Sequence, residues 1–379
     1  MIIPFRHRSR ALAAAVVGGL ALGLLAGVPA QAQQQPDLTV MTRNIYLGSS
    51  LAPATDIDPG DPNAGAAFVG AVAEIYGTML FTDFPARAGA LADEIAATEP
   101  DLIGLQEVSE WTAVPVGAPS ATPPSLDFLE ILLATLHSRG LDYSVAGVSE
   151  NAEIGPLPLI SPPFGCNTIT PIPGGLLPDC LVTFADRDVI LVNEGTEGLS
   201  LGTARSGRYS AQAVLPTPAG PLSFDRGWVA VDGRYAGKLF RFVNTHLETE
   251  DFPMVQEAQA AEFLAGPARG GSVIAVGDFN SAADGSTTTS YSQLTAPAAF
   301  ADAWAAVGDG EGLTCCQNST LTNPVTEVGS RIDLVLTRGP VRAVSAGLVG
   351  DEPFRVQVLP PRPIWAADHV GVVAAVRLR

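Results

Sequence analysis

Basic residues are scarce in this sequence: 21 Lys and Arg stand against 39 Asp and Glu, a formal net charge of −18. No cluster of Lys and Arg follows the N-terminus, which disfavours tight polynucleotide binding through phosphate neutralisation unless metal ions offset the local field. Histidine and cysteine number only four each, and no His lies near either cysteine pair, so the ligand spacing of a zinc site is missing. Internal repeats and heptads are absent, and the Gly-rich segments match neither a P-loop nor a dinucleotide fingerprint. Charged residues are 16% against 47% hydrophobic, which excludes a disordered chain and predicts a sizeable core.

The apolar run from Ala11 to Val28 follows Arg6, Arg8 and Arg10 and ends before Ala30-Gln31-Ala32. That pattern predicts a secretory signal removed after Ala32 and a secreted or periplasmic protein. A membrane anchor is the alternative, and no second apolar run of spanning length is expected. Signal removal would leave 18 basic against 39 acidic residues, a net charge of about −21. Residues 37–379 are expected to form one domain, acting as a monomer. Outside the cytoplasm the cysteines can be oxidised. Cys166 and Cys180 flank a loop that one bridge would close, whereas adjacent Cys315 and Cys316 would pair only through a strained ring.

Short apolar, β-rich runs recur at Leu38–Met41, Leu102–Leu105, Leu239–Val243, Val273–Val276 and Ile332–Leu336, and read as strands. Helical spacing predicts helices over Phe84–Thr98, Leu126–Ser138 and Met254–Leu264, the first stopping before Glu99-Pro100. The alternation implies an α/β (α+β) protein. Pro/Gly-rich stretches near 113–124 and 155–179 read as irregular insertions.

Polar clusters fall at the ends of the apolar runs: Asn44, Glu107, Asn244 with His246, Asp278 with Asn280, Asp333, and Asp368 with His369. Functional groups of α/β folds gather at such strand ends. Residues two apart on a strand point the same way, so Asn244 and His246 share a direction, as do Asp278 and Asn280. Acids and amides without a Cys/His set favour a hard divalent cation, Mg²⁺ or else Mn²⁺ or Ca²⁺. With a neutral His to accept a proton, the inventory suits hydrolysis of a phosphate ester. Structural roles are open to the same residues: Asn44 could cap a turn, Glu107 could open a helix, and Asp278-Phe279-Asn280 could form an Asx turn.

Gln106-Glu107, Asn244-Thr245-His246, Gly277-Asp278-Phe279-Asn280, Ser330-Arg331-Ile332-Asp333 and Asp368-His369, in this order, resemble the motifs of the endonuclease/exonuclease/phosphatase superfamily. The resemblance implies a four-layered sandwich of two mixed β-sheets flanked by helices, as in deoxyribonuclease I. It implies that Glu107 binds metal with Asn44 and Asp368, and that His369 is the base or phosphate-polarising group, fixed by Asp333. Asp278 and Asn280 would orient water and a phosphoryl oxygen, and His246 with Asn244 would bind phosphate or protonate the leaving group. The expected activity is hydrolysis of phosphate esters, first as an endonuclease-like phosphodiesterase. A sphingomyelinase-like lipid phosphodiesterase, a phosphomonoesterase and a non-catalytic binding module are the alternatives. Nucleic acid, a lipid headgroup or a small metabolite would be the ester.

Overall fold

A computed structural model describes residues 36–116, 125–160, 169–172, 175–356 and 362–379. The expected signal at 1–32 lies outside the described residues. Residues Pro36–Arg379 form one compact unit built on two sheets. The first runs, in spatial order, Val341–Val349, Gly371–Leu378, Leu38–Asn44, Leu102–Gln106, Cys180–Asn193, Glu110–Pro115 and Ser125–Asp127, with Tyr143–Leu159 also pairing Cys180–Asn193. The second runs Arg205–Arg208, Gly227–Tyr235, Lys238–His246, Val273–Asp278, Asp333–Arg338 and Ala301–Asp302, with Leu199–Leu201 added beside Gly227–Tyr235.

Period-2 patterning stacks the sheets. Leu38 and Val40 face the second sheet's Ile274, Val276 and Val335, while Met41 turns outward. Outward residues of the first sheet pack on the helices Ala64–Phe81, Phe84–Thr98 and Phe128–Ser138. Those of the second, such as Val273 and Leu334, pack beside Ala260 and Phe263 of the helix Pro253–Ala265. Helix, sheet, sheet, helix is the four-layered architecture implied by the motifs.

Each sheet has one parallel pair, Leu38–Asn44 with Leu102–Gln106 and Lys238–His246 with Val273–Asp278. Asn44 stands opposite Gln106, and His246 opposite Asp278. Parallel strands end on the same side, and the antiparallel neighbour Asp333–Arg338 begins there, with Asp333 opposite Asp278. All the polar clusters are thereby delivered to one rim.

Three expectations change. The stretches near 113–124 and 155–179 are not wholly irregular: Ala113–Pro115 and Gly155–Leu159 extend strands of the first sheet, and Ile169–Ile172 pairs Gly175–Pro178 in a hairpin. Pairing with the long strand Cys180–Asn193 holds even a Pro-rich segment extended. The helix Ala64–Phe81 is long and apolar enough to span a membrane by length and composition, although no such run was expected; its Phe68, Val72, Ile75 and Met79 are buried in the core. The structure also joins Cys315 to Cys316, the pairing that sequence spacing disfavoured, and Cys315 bridges to Ser330 and His369. Cys180 is disulfide-bonded, and Cys166 lies outside the described residues.

Candidate active site

Asn44 ends the first strand fully buried, and its Nδ2 donates to Glu107 Oε1 (3.2 Å) and Asp278 Oδ2 (3.1 Å). One amide thus links an acid from each sheet. Its Oδ1 also accepts from the Tyr46 N–H at 3.0 Å, so the turn-capping role operates at the same time. Glu107 follows its strand in a left-handed conformation (φ +58°), with Oε2 accepting from the Leu47 N–H at 2.7 Å. Asn280 is likewise left-handed (φ +49°), and its N–H closes an Asx turn on Asp278 Oδ1 at 2.9 Å. Such backbone costs ~1–3 kcal/mol per residue and clusters at functional sites.

Two histidines approach the same oxygen of Asp278 that Asn44 binds. His369 Nε2 lies 3.7 Å and His246 Nε2 3.5 Å from Asp278 Oδ2. Asp333 Oδ2 sits 2.8 Å from His369 Nδ1, the anchoring expected of it. All four side chains are buried. Burial by itself lowers the His369 pKa, but Asp333, Asp278 and Asp368 outweigh it and raise the pKa well above the usual value. His246 goes the other way: burial, then Arg226, then His369 push it well below. The two rings are therefore pushed apart, His369 towards the cationic form and His246 towards the neutral one. Asp278 and Asp368 are raised to about 7, in each case chiefly by burial, with Asp333 adding at Asp278 and Glu107 at Asp368.

Asn244 departs from expectation. Its Nδ2 donates to the carbonyls of Leu105 (2.8 Å) and Val189 (3.0 Å), and its Oδ1 accepts from Gln106 Nε2 (2.6 Å). An amide with both hydrogens and its oxygen engaged across the sandwich joins the sheets and positions Gln106; it does not reach a substrate. Asn280 is partly committed as well, with Nδ2 near His246 Nε2 (3.1 Å) and Leu247 O (2.9 Å).

Several buried charged residues escaped the sequence reading, among them three arginines and two aspartates. Arg226 Nη1 lies within 3.2 Å of both His246 ring nitrogens, and its guanidinium stacks on Phe224. Arg43 grips Glu94 (2.8 and 3.0 Å) and donates to His369 O. Arg87 donates to the carbonyls of Thr82, Ile45, Tyr46 and Ala366, tying the segment after Asn44 to the one before Asp368. Asp186 and Asp188 lie fully buried on the Cys180–Asn193 strand. Polar residues at 186 and 188, in phase with inward-facing Ile190, were the available signal.

The donor set fits a hard divalent cation. Asp368 has a buried carboxylate oxygen, Oδ1, without a hydrogen-bond partner, and Glu107 and Asp278 share one amide. Ligand atoms of Asp278, Asp333 and His369 lie within 4.8 Å of one another, a grouping of metal-binding type. It differs from the expected set of Glu107, Asn44 and Asp368, and part of its closeness is the Asp333–His369 hydrogen bond. A shallow depression of about 620 Å³ beside Phe240 and Arg241 lies at the other end of the Lys238–His246 strand from His246 and contains none of these groups.

A model of the Endonuclease/Exonuclease/phosphatase family matches residues 75–369, which include every motif beyond Asn44. The chain belongs to this family. It is thereby a phosphoesterase of the superfamily that its motifs resemble. Among solved structures it is similar to an endonuclease/exonuclease/phosphatase family protein of Bacteroides thetaiotaomicron (15% identity, TM-score 0.55, 91% of this chain and 96% of that one). A mannosyl-6-phosphatase of the same species (14%, 0.53, 90% and 100%) and a family protein of Leptotrichia buccalis (13%, 0.52, 90% and 100%) are also similar. At these identities the likeness concerns the fold. No curated protein matches by sequence.

Proposed function

We propose that this chain is an exported, divalent-metal-dependent phosphodiesterase. The observation that supports it most is the convergence of Asp278, His369–Asp333 and Glu107–Asn44, drawn from both sheets, around one rim. Glu107, Asp368 and Asn44 would hold the cation, with Asp278 adjoining. When bound, the cation neutralises phosphoryl charge and stabilises the leaving oxygen. His369, held cationic by Asp333, offers Nε2 as a donor to a phosphoryl oxygen. Asp278, raised to about 7, is the proton acceptor for water, and Asn280 positions it through its backbone N–H. Neutral His246, braced by Arg226, completes the phosphate pocket.

Charge favours the diester. A diester brings one negative charge, whereas a monoester brings about 1.5 to 2 near neutrality. The cations that meet at the rim, His369 and Arg226, already face Asp278, Asp368, Glu107 and Glu248. The acidic whole, −18 before any processing, argues against polynucleotide as the ester. Export rests on the arginines and apolar run before Ala32; N-terminal sequencing of protein recovered outside the cytoplasm should begin at Gln33.

The test is hydrolysis of bis-p-nitrophenyl phosphate and p-nitrophenyl phosphate with Mg²⁺ or EDTA, beside His369→Ala. Turnover of the diester that vanishes in EDTA and falls by ~10²-fold or more in the variant is expected. Preference for the monoester would convert the reading to a phosphatase. Inactivity towards both esters, plasmid DNA and sphingomyelin would leave a binding module.

A further inference from the structure

A cleft of about 440 Å³ opens beside the rim, within the ~300–1,000 Å³ usual for small-ligand sites. Its polar end is Glu107, Arg226 and Glu248. Asp56, Thr249 and Asp251 add polar groups at its border, and its apolar lining includes Phe68 and Val72 of the helix Ala64–Phe81, Trp111 and Phe184 of the first sheet, and Leu215 and Leu222 of the hairpin Val214–Thr217 with Gly220–Ser223. The floor is rigid, because Trp111 donates Nε1–H to Leu47 O at 2.9 Å and packs on Phe184 with centroids 4.5 Å apart. Leu47 in turn donates its N–H to Glu107. One short chain of contacts thus fixes both the apolar floor and the expected metal ligand.

We infer that this cleft receives an uncharged apolar group, an alkyl chain or an aryl ring, esterified to the phosphate on which the rim acts. The inference rests on the phosphodiesterase reading and specifies its substrate. Two features select this occupant. The cleft is continuous with Glu107 and Arg226, so a group entering it remains attached to a phosphate placed at the rim. Its polar border includes the acids Asp56, Glu248 and Asp251, which repel an anionic substituent and leave a neutral one unopposed.

The experiment uses the mature protein with Mg²⁺ and symmetric diesters, so that either arm can enter the cleft. Dimethyl, dibutyl and dihexyl phosphate are titrated calorimetrically and tested as inhibitors of bis-p-nitrophenyl phosphate turnover. Affinity is expected to rise at least ~10-fold from dimethyl to dibutyl, from apolar burial, with a negative heat-capacity change. Leu215→Asp with Leu222→Asp, and separately Val72→Trp from the opposite wall, should collapse the dibutyl-to-dimethyl ratio towards one. The ratio is insensitive to partial loss of folded protein, which lowers the apparent binding of all three ligands alike. Equal affinities in the wild type, or a chain-length gain that survives both variants, overturns the cleft. Turnover without a chain-length gain sinks this inference alone, and a gain without metal-dependent turnover sinks the phosphodiesterase reading alone. Hydrolysis of neutral sphingomyelin vesicles, set against monomeric dihexyl phosphate, tells a membrane lipid from a soluble ester.

Discussion

Asp333 sets the charge of its neighbour through one hydrogen bond and one Coulomb interaction. His369 is buried, and burial alone would keep its ring neutral; the 2.8 Å contact with Asp333, aided by Asp278 and Asp368, reverses that. Asp333→Asn keeps the shape and removes the charge. Burial then gains ground, and the His369 pKa should fall. NMR titration can follow this directly, because the mature chain would retain only His137, His246 and His369. Turnover should fall by ~10–100-fold, as for the loss of other groups that orient a functional histidine. An unchanged His369 titration in the variant would remove Asp333 from that role. His246 should move the opposite way and less: its depressed pKa has burial as first cause and Arg226 as second, with the His369 charge third, so loss of that charge lets it rise.

At the scale of elements, Arg87 shows what the sequence reading could and could not find. The helix Phe84–Thr98 was legible residue for residue, because its apolar spacing is regular and Pro100 stops it. That Arg87 points inward, between Phe84 and Phe128 and onto four carbonyls, was not legible, since those partners lie as far off in sequence as Ala366. Arg87→Ala should destabilise the protein by at least ~1–3 kcal/mol, because it leaves buried carbonyls without their donor, read as a lowered midpoint in denaturant. Arg87→Lys, keeping the charge but not the fork, should recover only part of it. A midpoint within error of wild type would mean that the segments after Asn44 and before Asp368 are held without Arg87. The same limit explains Asn244: its position on a strand next to His246 was readable, but its bonds to Leu105, Val189 and Gln106 depend on how the second sheet lies on the first. Gly277 opens a motif in the sequence, but the reason that it must be glycine lies in the neighbouring strand: a Cβ there would stand 2.1 Å from Thr245 O.

For the whole molecule, the rim concentrates charge that folding alone does not relieve. Asp278, Asp368 and Asp186 are raised to about 7, chiefly by burial, against ~3.9 for an unfolded Asp. Between those values the folded state holds more protons than the unfolded one, so stability falls as pH rises. His369 acts in the same sense: its raised pKa adds stability that is complete below ~6.5 and is lost as pH climbs through the folded value. His246, depressed, opposes them by favouring the fold as pH rises towards ~6.5. The net negative charge of the chain adds self-repulsion in the first direction. Protein stripped of metal with EDTA should therefore melt at a lower temperature at about pH 8 than at about pH 5. A divalent cation held by Glu107, Asp368 and Asn44 would offset those carboxylates when they are ionised, so millimolar Mg²⁺ should raise the Tm more at the higher pH. Asp368→Asn should remove most of that difference. A gain equal at both pH values, or reproduced by sodium chloride at matched ionic strength, would mean that the cation acts on the acidic surface in general and not on the rim.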